Sequence, residues 1–169
     1  MKWNSDKIVS ISAILISLVT LIVFIYQTNI MREQQRLSVL PYLMIANENG
    51  QTPNHKLTLR NTGIGPAFIE SVVITSKKKK YEMDLPTFLY THVPEMDSIN
   101  NLGYSNIFAG QLIPAEQVIP ILEFDNSWED VKKMLVILDE LEIEIAIIYK
   151  SIYEERWLLS SAKFAPEKL

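Results

Sequence analysis

The stretch Lys56-Leu57-Thr58-Leu59-Arg60-Asn61-Thr62-Gly63-Ile64-Gly65-Pro66-Ala67-Phe68-Ile69-Glu70-Ser71-Val72-Val73-Ile74-Thr75-Ser76 decides the fold class. Lys56 to Arg60 alternates polar and apolar residues, the period of two of a half-buried strand. Asn61 to Ala67 is dense in turn residues. Phe68 to Ser76 is rich in β-branched side chains and reads as a second strand. Strand, turn and strand in immediate succession point to an antiparallel β domain.

Outward from this core the signals continue. Towards the C-terminus, Lys77 to Lys80 makes a hairpin tip and Tyr81 to Leu85 returns from it. Pro86 to Tyr90 opens a short helix, with proline in its first turn, and Asp97 to Gly103 reads as loop. The pattern is weakest over 86–110. Gln117 to Phe124 is strand-like, and Pro120 confines it to an edge or a bulge. Asn126 to Asp130 starts a helix, which Val131, Met134, Leu135 and Leu138 continue at helical spacing. Leu141 to Tyr149 alternates as a strand, with Glu142 and Glu144 on its outer face. Ser151 to Glu155 turns, Arg156 to Phe164 pairs back, and 166–169 is a tail. Towards the N-terminus, Asn49 to Asn54 is a turn cluster and Tyr42 to Asn47 a short apolar strand.

Before Pro41 the period becomes helical. Ile8 to Tyr26 contains no charge, proline or glycine, and about 20 apolar residues suffice for a helix to cross a bilayer. The run is too long for a signal peptide and lacks a small-x-small cleavage site. The chain therefore divides into a tail (1–7), a transmembrane helix (8–31), a helical stalk (32–40) and a soluble β domain (41–165). Ser10, Ala13, Ser17, Thr20 and Gln27 share one stripe of the helix. Either the stripe is a face for close helix–helix packing, or its hydroxyls bond their own backbone. Lys2 and Lys7 with Asp6 before the span balance Arg32 and Arg36 with Glu33 after it. The short N-terminal tail is the easier side to translocate, which places the domain in the cytoplasm of a single-pass cell-membrane protein.

About seven short strands, one firm helix and one short helix argue for an antiparallel, immunoglobulin-like β-sandwich with a helical insertion. Leu57 to Ala67, with its Asn-x-Gly-x-Gly-Pro-Ala core, resembles the strand–turn–strand signature of CARDB-like bacterial β-sandwiches. It is also similar to uncharacterised bacterial single-span proteins, in which Ile113 to Glu116 and Ile148 to Tyr153 would have counterparts. The resemblance implies a fold rather than an activity.

Composition and motifs exclude more chemistry than they offer. The net charge of −4 gives no electrostatic basis for a DNA duplex, and the absence of cysteine removes disulfides, thiolate nucleophiles and cysteine zinc sites. Gly63-Ile64-Gly65 lacks the Lys-Ser/Thr and helix of a phosphate loop, so the glycines read as positive-φ turn residues. His55 and His92 are far apart and have no neighbour at metal-ligand spacing. Glu142 and Glu144 read as a solvated strand face. No catalytic residues, cofactor or metal are expected. Lys77, Lys78, Lys79 and Lys80 form the sharpest local feature: either a ligand site for lipid or nucleotide phosphates, or a solvated turn that discourages edge pairing.

Two functions follow. One is a non-enzymatic, membrane-anchored binding protein that oligomerises through its helix and presents the β domain to a protein partner or ligand. The alternative is a membrane effector, similar to bacterial antiviral effectors that sense cyclic oligonucleotides, in which a nucleotide second messenger triggers permeabilisation.

Overall fold

The computed structural model describes residues 5–50, 52–163 and 165–169. The chain divides into two compact units, Met1–Ser38 and Val39–Leu169.

The first unit is built on helix α1, Ser5–Leu37. It is long and apolar enough to cross a membrane, and none of its residues is buried. Of the expected tail, residues 1–4 lie outside the described residues, whereas Ser5, Asp6 and Lys7 already belong to the helix. The helix ends at Leu37, short of the expected stalk terminus at 40. Ser38 closes the last turn, its N–H bonding the Gln34 carbonyl, and Val39 to Tyr42 belongs to the next unit.

That unit contains two antiparallel sheets. The first holds β1 (Leu43–Glu48), β2 (Lys56–Asn61), β5 (Leu102–Tyr104) and β7 (Val118–Phe124), in the order β1-β2-β7-β5. The second holds β3 (Ala67–Ser76), β4 (Lys79–Tyr81), β8 (Glu144–Lys150), β9 (Arg156–Ser160) and β10 (Glu167–Lys168), in the order β10-β9-β8-β3-β4. A further short strand, β6 (Leu112–Ile113), pairs with β3. Helix α2 (Leu85–His92) and a 3-10 turn (Pro94–Ser98) lie between β4 and β5, and helix α3 (Trp128–Glu140) between β7 and β8.

One core joins the two sheets. Leu43, Leu59 and Ile121 from the first are buried in the same cluster as Ile69, Ile74, Ile147 and Tyr149 from the second. Tyr149 is fully buried, and its hydroxyl accepts the Leu43 N–H at 3.3 Å. Burial holds that phenol protonated, its pKa pushed up to about 12.

The sequence expectation of a bulge at Pro120 holds, and others change. Pro120 sits in an interior strand and is accommodated at a bulge: Leu57 pairs with Leu122 but Thr58 with Pro120, so Ile121 is the extra residue. The Leu141 to Tyr149 strand begins only at Glu144, because Leu141 caps α3 and Glu142 takes φ 48° in the following turn. Glu142 and Glu144 therefore share no strand face, and Glu144 accepts the Ser160 hydroxyl at 2.6 Å. The last long strand stops at Ser160, while Phe164 lies outside the described residues. Part of the expected tail returns as β10 beside β9.

Candidate interaction site

The edge of β3 is occupied at both ends and open in the middle. β8 pairs with its other edge from Phe68 to Thr75. On the open side β6 pairs with Ala67 and Phe68, while β4 pairs with Ile74, Thr75 and Ser76. The Ile69 backbone is satisfied too, since it donates to Gln111 and accepts from Gly110. No described strand pairs with this edge from Glu70 to Val73.

Register identifies the residue left over. Ser76 and Lys79 flank the two-residue turn at Lys77 and Lys78, so they exchange backbone bonds, and alternation turns Ile74 and Val72 to the same edge. Glu70 is the bulged residue against β8, which resets the alternation between Ile69 and Val72. The Val72 N–H and C=O thus face the gap.

The gap is the floor of a cleft of about 690 Å³, within the usual size range of ligand pockets. Glu82, Met83 and Asp84 form one wall, and Asn106, Ile107, Phe108 and Ala109 the other. Asp84 fixes both walls. One carboxylate oxygen accepts the Thr87 N–H at 3.3 Å as the N-cap of α2, and the other accepts Asn106 Nδ2 and the Ile107 N–H, each at 2.9 Å. Proline in the first turn of α2 needs no N–H partner there. Glu70 leans away to Arg156, at 2.6 Å. Glu82 is exposed and makes no ion pair among those found in the described residues.

The four lysines stand at the hairpin tip, divided between its turn and its returning strand. Lys77 and Lys78 make the turn, with φ 46° and 69°, whereas Lys79 and Lys80 belong to β4 and alternate in direction. Lys79 lies 5.0 Å from the Tyr81 ring centroid. The Lys77 N–H and the Ser76 hydroxyl both bond the Leu141 carbonyl, bracing the turn. None of the four lines the cleft.

On α1, Ser10, Ser17 and Thr20 donate to the carbonyls of Asp6, Ala13 and Ile16, each at 2.8 Å. Their protons are therefore spent within the helix; Ala13 and Gln27 share the exposed stripe. His92 stacks on Phe88 at 5.0 Å, and His55 is buried beside Phe124. Burial lowers the His55 pKa, and its Nδ1 has no partner in the described structure. Among the described residues no cluster of acids and histidines suits a metal ion.

Asn61 explains the turn signature. It is fully buried at the end of β2. Its side-chain oxygen accepts the N–H groups of Tyr42 and Gly63 at 3.2 and 3.1 Å. Its amide nitrogen faces the carbonyls of Gly65, Pro114 and Ile113 at 2.8, 3.1 and 3.2 Å. The glycines act by close approach and not through positive φ. A Cβ on Gly63 would lie 2.4 Å from the Leu40 oxygen, and one on Gly65 only 1.7 Å from the Val39 oxygen. Of the described glycines Gly110 has positive φ.

The signature lies within residues 8–165, the range matched by the family model described as a domain of unknown function, DUF8453. The chain belongs to this family. The DUF8453 match takes in most of α1 together with the β domain through β9. No curated protein and no solved structure matches the chain.

Sequence reasoning missed the cleft because one wall comes from the weakly patterned middle of the chain, while the other, 82–84, read as the returning strand of the hairpin although β4 stops at Tyr81. The usable signal was Asp84-Leu85-Pro86, an N-cap followed by proline in a first helical turn.

Proposed function

We propose that this DUF8453 protein is a non-enzymatic, single-pass recruiting module of the cell membrane: α1 anchors and self-associates, and a cytoplasmic immunoglobulin-like domain holds a polypeptide partner. The observation that carries the reading is the cleft over the unpaired stretch of β3. It offers backbone hydrogen-bonding groups and fixed walls. The strand orders β1-β2-β7-β5 and β9-β8-β3-β4 support the fold part, since they correspond to the A-B-E-D and G-F-C-C′ orders of immunoglobulin-type sandwiches. A lysine-based nucleotide site finds less support, because two lysines sit on the turn and two on a strand, outside the cleft.

The test is a photo-crosslinking residue at Phe108, on the cleft wall, in the membrane-inserted full chain. The expected result is a discrete protein adduct at Phe108 that is absent at Lys132 and lost when Ser71→Trp fills the cleft. The same adduct at both positions, or persistence in the filled variant, would overturn the assignment.

A further inference from the structure

We infer that the β3 cleft recognises its occupant by strand addition: an extended, basic polypeptide segment pairs with Val72 and sets a lysine or arginine against Glu82. The inference deepens the recruiting role proposed above and rests on it.

Three observations carry it. First, β3 is a long strand whose edge is covered at both ends and bare between them. The N–H and C=O of one residue, spaced for a peptide unit, are left without a strand partner there. Unpaired edge groups are a template for another chain, and β-augmentation uses them directly. Second, the walls do not close over the gap. The chain turns away from β3 after Tyr81, and the opposite wall comes in at Ala109; Asp84 ties the two apart through α2 and Ile107. Third, the charged side chains lining the cleft are all acids: Glu70, Glu82 and Asp84. The carboxylates of Glu70 and Asp84 already have partners. Glu82 is the exposed acid left to meet a cation, and an acidic rim disfavours acidic segments through like-charge repulsion.

The experiment uses the full chain in nanodiscs and three labelled pentapeptides: alternating valine and lysine, the same with glutamate in place of lysine, and the lysine peptide N-methylated at its central residue. Site-resolved hydrogen exchange is read at Val72 alongside binding anisotropy. The lysine peptide is expected to slow Val72 amide exchange at least tenfold, and the other two to leave it unchanged. Glu82→Lys is expected to transfer the preference to the glutamate peptide, and Glu82→Gln to abolish it. Equal binding of lysine and glutamate peptides, or binding without protection at Val72, would overturn the inference. A cleft-specific adduct at Phe108 with no protection at Val72 retains recruitment and refutes strand addition. Protection at Val72 with no cellular adduct retains the pairing chemistry and refutes recruitment in the cell.

Discussion

Replacing Asn61 with alanine should strongly destabilise the β domain. The side chain is fully buried and satisfies two backbone donors, Tyr42 and Gly63, and faces three carbonyls, Gly65, Ile113 and Pro114. A buried polar group left unsatisfied costs about 1–3 kcal/mol. The five contacts share one amide and do not add independently, so about 4 kcal/mol is a reasonable total. Unfolding entropy of about 2.1 cal/mol/K per residue, taken over the roughly 130 residues of the Val39–Leu169 unit, converts this into a fall of about 15 °C in Tm. The assay is thermal unfolding of the full chain in nanodiscs, followed by near-UV circular dichroism from Trp157, which stacks on Tyr149. Asn61→Asp separates polarity from charge. It keeps an acceptor for Tyr42 and Gly63 but turns an anion towards three carbonyls, so its Tm should recover on acidification as the carboxyl gains a proton to donate. A loss below about 3 °C in Asn61→Ala, or a wild-type profile in Asn61→Asp, would refute the reasoning.

Other consequences are open to direct measurement. Tyr149→Phe leaves the buried Leu43 N–H without its acceptor and should cost about 1–3 kcal/mol in denaturant unfolding. Burial lowers the His55 pKa, so the unfolded state takes up the proton first. Its stability contribution should be complete above about pH 6.5 and decline below it, and His55→Phe should flatten that slope in unfolding titrations. Ser17→Leu should reduce crosslinked oligomers if the α1 stripe is a packing face; an unaltered ladder would count that face out. Lys78→Cys, placed on the exposed turn of a chain with no other cysteine, should resist a membrane-impermeant maleimide until lysis. Labelling of intact cells would put the domain outside.

What the sequence by itself determined was whatever depends on near neighbours along the chain. The uninterrupted apolar run of α1 is set by composition and length. The alternation at Ile145 to Tyr149 sets which face is buried, whereas at Lys56 to Arg60 packing overrides it: Thr58 is buried and Leu57 only half-buried. The Ser127 cap and Asp130 fix where α3 begins; the Ser127 hydroxyl bonds the Asp130 carboxylate at 2.8 Å. That bond, ahead of burial, which acts in the opposite sense, and the contacts from Asn101 and Lys133, holds the Asp130 pKa below its usual value. Tertiary structure decided what depends on distant pairings. Asn61 looked like one more turn residue, yet its amide spans from Tyr42 to Pro114. The glycines beside it looked like conformational hinges, but they are there because backbone from Val39 to Tyr42 passes too close for a Cβ. The β3 gap had no local signature, since an edge is open or closed according to how far β4 and β6 extend along it. Periodicity reports the direction of a side chain, and it cannot report which strand stops short of its neighbour.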